Sequence, residues 1–206
     1  MHDTAGPFLW VGNLPCLDFI NTEKIADGER VSLVDGFGAV VRWLGEAGLL
    51  ADSAARAALE RWDGRAEGQA AYRQALALRH AARRTVERLT EGKTPAGDDI
   101  DLVNRILAER VTHPSLARKA GGYLLTQVPE RETALQLLAP VAESIAWLLT
   151  AGDLSLLRRC ENPDCILYFY DVTRNGRRRW CSMAGCGSRA KAAAYYRRQR
   201  SGKRRA

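Results

Sequence analysis

Four cysteines in the last quarter of the chain have the type and spacing to bind a metal. Cys160 and Cys165 are separated by four residues, as are Cys181 and Cys186, and Arg174-Asn175-Gly176-Arg177-Arg178-Arg179-Trp180 lies between the pairs. A tetrahedral Zn²⁺ needs four thiolates at about 2.3 Å, and two tight turns facing each other supply them. A closed set of four leaves no position for water, so the ion holds structure and does no chemistry. The same residues could instead make two disulfides. Cysteine is otherwise represented only by Cys16, and nothing in Met1 to Asn13 reads as an export signal, so one structural Zn²⁺ per chain is the expectation.

The charge is concentrated around these cysteines. The chain carries +7 overall, but from Arg158 onward fourteen Lys/Arg face three Asp/Glu, +11, which leaves −4 for the rest. A mildly acidic body with a strongly basic end suggests a polyanion partner, DNA first and RNA as the alternative. Four thiolates on Zn²⁺ leave −2, so two or three arginines could serve only to neutralise the centre. The run Leu135 to Leu149 is broken by Gln136, Pro140 and Glu143, too polar for a membrane span, and a cytoplasmic protein is expected.

The elements that must position these groups follow from periodicity. Phe8-Leu9-Trp10-Val11 reads as a strand before a Gly12-Asn13 turn, Pro15 opens a helical turn, and Cys16 reads as a small buried hydrophobe. Helices are expected over Asp35 to Ala47, from an Asp52 or Ser53 cap to Trp62, over Gln69 to Glu91, from Asp98 to Glu109, and from Pro129 to Thr150 with a kink or restart at Pro140. Glu29 to Val34 reads as a short strand, and Gly121-Gly122 marks a hairpin. On the long helix Arg73, Arg79, His80, Arg83, Arg84 and Arg88 read as a solvated face. The expected architecture is α+β, with a mostly helical N-terminal domain with a few strands over 1–152 and a smaller domain over 153–206.

In that smaller domain Ile166 to Asp171 reads as a strand, Asn175-Gly176 as a hairpin turn, and Arg179-Trp180 as the return. Knuckle, hairpin, second cysteine pair and a helix from about Gly185 to Gln199 make a treble-clef zinc finger. On that helix Arg189, Arg197 and Arg200 share one side with Tyr196, while Lys191 and Arg198 share the other with Tyr195. Basic on both sides, it can pack only through the alanines at 190 and 192 to 194. Arg174, Asn175, Arg177, Arg178, Arg179, Arg189, Lys191, Arg197 and Arg198 are the candidate nucleic-acid contacts, mostly to phosphate. Tyr195, Tyr196 and Trp180 read first as packing residues and, for RNA, as stacking platforms.

Cys160-x4-Cys165, Phe169-Tyr170-Asp171, Arg178-Arg179-Trp180-Cys181-Ser182-Met183 and Cys186-Gly187-Ser188-Arg189-Ala190-Lys191 resemble the CGNR zinc finger. Cys16-Leu17-Asp18-Phe19-Ile20-Asn21-Thr22 resembles the opening of the ABATE domain. The resemblance implies a bacterial transcription regulator: an N-terminal α+β domain that senses a ligand, and a treble-clef finger that binds DNA. On this reading the N-terminal body either sets oligomeric state, for example as a homodimer, or senses a small-molecule effector. Ser188 stands where the motif has Asn, leaving a hydroxyl near the helix start to hydrogen-bond a backbone N–H.

A nuclease would need a histidine base and a second metal, and no histidine follows His113, so no enzyme is expected. Asp18, Asn21, Arg79 and Asn104 are polar residues in apolar patterns. They could line a small-molecule pocket, or simply satisfy buried polar groups.

Overall fold

The computed structural model describes residues 6–203, and the side chains of 6–199. In chain order the elements are α1 (Pro15–Ile20), β1 (Glu23–Ala26), β2 (Glu29–Ser32), α2 (Phe37–Glu46), α3 (Asp52–Trp62), α4 (Ala66–Thr90), α5 (Gly97–Ala108), β3 (Thr112–Lys119) and β4 (Gly122–Pro129). A 3-10 turn, Ala134–Leu138, then leads into α6 (Ala139–Thr150), followed by β5 (Leu157–Arg159), β6 (Tyr168–Tyr170), a π-helical turn at Met183–Gly187, and α7 (Ser188–Lys203). The architecture is the mostly helical α+β one expected, with the strands among the described residues forming three antiparallel pairs, β1–β2, β3–β4 and β5–β6.

Hydrophobic spacing explains the helical packing. Phe37, Val40, Val41 and Leu44 bury one face of α2, and α4 contributes Ala71, Ala75, Leu78 and Ala82 to the interior. Ala75 and Leu78 of α4 sit with Leu17 and Ile20 of α1, Trp43 of α2, Ile106 of α5 and Val141 and Ile145 of α6 in one core. Pro140 lies in the first turn of α6, so it starts that helix and does not kink it. Gly68 is inside α4, where any Cβ would stand 2.2 Å from the Trp62 carbonyl oxygen. The α3–α4 corner therefore requires glycine there. At α3 the cap position is Ala51, with no side-chain cap, and Asp52 is the first helical residue.

Three expectations are corrected. Phe8 to Val11 forms no strand, because side chains occupy its backbone: the N–H groups of Val11 and Gly12 donate to Asp18 Oδ1 (2.9 and 2.6 Å), and the Val11 carbonyl accepts from Arg178. The α4 arginines are not uniformly solvated. Arg79 and Arg83 are 3% and 6% exposed. Arg83 donates to the carbonyls of Ile20 (2.7 Å) and Ile166 (2.9 Å), closing the C-terminal end of α1. Finally, β6 pairs with β5, which precedes the first cysteine, and not with Arg179-Trp180. The loop that turns at Gly176 is held by Asp171, whose carboxylate accepts from the backbone N–H groups of Thr173 and Arg178.

Candidate metal centre and nucleic-acid interface

The four cysteines come from two turns. Cys160 directly follows β5, and the chain reverses through Asn162, whose carbonyl accepts from Cys165 N at 3.0 Å. Cys181 precedes the π turn and Cys186 lies within it, with the Ser182 hydroxyl accepting Gly185 N–H (3.3 Å) at its start. All four are buried and free of disulfides, and their sulfurs lie within 4.8 Å of one another. Tetrahedral Zn–S bonds of about 2.3 Å give S···S edges of about 3.8 Å. The Cys165–Cys181 and Cys181–Cys186 separations are 3.8 and 3.6 Å.

The surroundings suit thiolates. Sulfur accepts from Cys181 N (Cys160 Sγ, 3.4 Å), Asn162 Nδ2 (Cys186 Sγ, 3.3 Å) and Arg189 Nη2 (Cys186 Sγ, 3.2 Å). Among the sulfurs themselves one thiolate is favoured at the expense of its neighbours. Hydrogen bonds from Cys165 and Cys181 pull Cys160 down, and their bonds to Cys160 push Cys165 and Cys181 up. Four negative sulfurs in this space require a divalent cation, and donor set, edge lengths and N–H···S bonds fit one structural Zn²⁺.

The centre is joined to the helical body through β6. One edge of this strand pairs with β5. On the other, Tyr168 N donates to Asn21 Oδ1 (3.0 Å) while Asn21 Nδ2 donates to the Tyr168 carbonyl (2.8 Å). Tyr170 repeats the pattern with Gly12 O (2.8 Å) and Asn13 Nδ2 (2.8 Å). The Asn21 carboxamide thus stands in for a strand residue and seals the edge. Tyr168 and Tyr170 belong to the main core, while Leu9 and Val11 pack on the smaller core of Leu167, Phe169 and the cysteines.

Of the candidate nucleic-acid residues, Arg178 is committed inward. Its Nε donates to Trp180 O (3.0 Å), its Nη2 to Val11 O (2.8 Å) and Cys181 O, and its guanidinium lies 4.1 Å from the Phe169 ring centroid. Arg174, Asn175, Arg177 and Arg179 are exposed. Asn175 Oδ1 accepts Arg177 N–H and so shapes the turn, and Arg179 meets Glu161 at 2.6 Å in the open. Arg189 is exposed yet neutralises Cys186. Lys191, Arg197 and Arg198 line α7, which is exposed along most of its described length; the Arg200 side chain lies outside the described residues. Against expectation, Tyr195 and Tyr196 are 53% and 66% exposed, edge-on to each other at 5.7 Å. Only Ala190 and Ala194 of the four alanines are partly covered. Ser188 Oγ donates to Met183 O (3.0 Å) and does not accept an N–H.

The four pocket candidates do not converge. Asn21 is used by β6, Arg79 donates to Thr22 Oγ1 (3.1 Å) and Ser32 Oγ (2.9 Å), and Asn104 is exposed on α5. Half-buried Asp18 holds the 11–12 backbone, and burial pushes its carboxyl up to about 6 against those N–H donors and the Arg178 charge. Sequence reasoning missed Arg83, Asn13 and Arg178 as junction residues. The paired use of Gly12-Asn13 and Asn21 with one strand edge carries no sequence signal. A groove of about 860 Å³ does exist beside the metal centre, lined by Leu9, Trp10, Ile25, Leu167, Lys24 and Arg189 among others.

A helical body carrying a buried four-cysteine zinc module with a basic, exposed helix defines a zinc-finger protein. The chain belongs to the ABATE family: residues 13–152 match the model described as "Putative stress-induced transcription regulator", and 157–199 match the CGNR zinc finger. Both are regulatory or zinc-finger families, not enzymatic ones. Comparison with curated proteins finds no match. Among the described residues no helix is long and apolar enough to cross a membrane.

Proposed function

We propose that the protein is a DNA-binding transcription regulator in which the zinc centre fixes the Arg174–Arg179 loop and α7 as one rigid basic surface. The observation that carries this reading is that seven cations, at 174, 177, 179, 189, 191, 197 and 198, are exposed on elements anchored directly at the cysteines. Phosphate contacts from such a surface supply affinity that falls steeply with salt. Arg179 can exchange Glu161 for a phosphate, since an exposed pair holds its partner weakly. The groove beside the centre is the place for a small-molecule effector, because a ligand there touches both the body and the knuckle.

RNA binding is the second reading, favoured by the exposed rings of Tyr195 and Tyr196, which offer stacking faces. Competition separates the two. Displacement of bound duplex DNA by unlabelled duplex at far lower concentration than by single strands or structured RNA supports DNA, and the reverse order supports RNA.

A further inference from the structure

The β3–β4 hairpin is built unlike the rest of the molecule. Its eight paired positions run from Thr112↔Pro129 to Lys119↔Gly122, and Leu116, Tyr123, Leu124 and Leu125 are 51–70% exposed. A lone two-stranded ribbon is marginal in water without a third strand or a helix to cover it. The register shows which edge is open. The two-residue turn Ala120-Gly121 makes Lys119–Gly122 a hydrogen-bonded pair, so the alternate pairs 117–124, 115–126 and 113–128 also bond inward. The backbone groups of Tyr123, Leu125 and Gln127 then point away from β3. On β3 the matching outward position is Pro114, which has no N–H and blunts that edge. From Gly122 to Val128, β4 has neither a proline nor a charged residue. Leu116, Leu125 and Tyr123 share the face of these outward-bonding pairs, whereas Ser115 and Thr126 on the other face are partly covered.

We infer that β4 pairs antiparallel with β4 of a second copy of this chain, giving a four-stranded sheet across a twofold axis near Leu125. Two identical strands running antiparallel are self-complementary by symmetry, which selects a second copy over an unrelated partner. The strand also carries no charge from Gly122 to Val128, so two copies of it meet without like-charge repulsion. Such a dimer carries two basic modules, but it does not depend on what those modules bind.

Sedimentation of the full zinc-loaded chain, with Leu125→Pro and Leu125→Lys, tests this. The proline removes an outward N–H and leaves the ladder intact, as Pro114 does, and the lysine sets two like charges together at the axis. Wild type is expected at twice 22.8 kDa, with both variants monomeric and a dimer Kd raised on the order of 100-fold or more. Unchanged zinc content and melting of Leu125→Lys establish that it is folded. A monomeric wild type, or a dimer that survives Leu125→Lys, overturns the inference.

Discussion

Replacing Arg178 with alanine separates structural from binding arginines within one run. Its guanidinium serves three carbonyls, those of Val11, Trp180 and Cys181, and stacks on Phe169. Hydrogen bonds from a charged donor are worth about 1.5 kcal/mol each or more. Truncation leaves three acceptors unsatisfied and should cost about 3–5 kcal/mol, a large part of the total stability of a domain. For a chain of 206 residues this lowers Tm by roughly 6–20 °C. Arg177→Ala, one residue earlier and exposed, should leave Tm within about 1 °C. It should instead make the salt dependence of DNA binding shallower by about one unit. Differential scanning calorimetry on zinc-loaded protein and anisotropy titrations of the same samples give both readouts. An Arg178→Ala protein that melts like wild type but loses DNA affinity would refute this assignment.

Asn21→Ala strips the carboxamide that bonds both backbone groups of Tyr168, and a loss of about 2–4 kcal/mol is expected in denaturant titration. Asp18 has its folded pKa raised from 3.8 to about 6, so its contribution is full below pH 4 and is lost as pH rises through 6. Asp18→Asn keeps the acceptor oxygen for Val11 and Gly12 and should gain about 1–2 kcal/mol at pH 7–8, a two-unit shift discounted for partial exposure. Stability measured from pH 4 to 8 should be flatter for the variant than for wild type. Elemental analysis should find one zinc per chain. Chelation, or Cys165→Ala, should unfold the 157–199 segment and abolish nucleic-acid binding, because metal binding is folding free energy in such modules.

The metal centre was legible because cysteine spacing is itself the geometric constraint, and the helices because their apolar positions recur at 3.6 residues. The junction was not. Arg79 and Arg83 sit at the same helical spacing as solvated arginines, and only the approach of α1 and the Ile166 carbonyl makes them interior groups. Arg178 lies in a run of three arginines, and Asp171 turns its backbone inward while Arg177 and Arg179 stay outside. The expected pairing of Ile166 to Asp171 with Arg179-Trp180 failed for a related reason. Asn175-Gly176 does turn, with Gly176 at φ 58°, but Leu157–Arg159 had already claimed the inner edge of β6. Tyr195 and Tyr196 stayed exposed because α7 is exposed along most of its described length, with only Ala190 and Ala194 partly covered, which local sequence does not encode.

Duplex-DNA affinity of the zinc-loaded chain across salt tests the central claim most directly. If five to seven of the exposed cations meet phosphates, log K falls with log salt at a slope of about −4.5 to −6, a loss of roughly 500-fold to 4,000-fold between 50 and 200 mM. That slope is expected for the zinc-loaded protein and none for the chelated one. A slope shallower than about −2, or equal affinity for duplex, single strands and structured RNA at physiological salt, would contradict it.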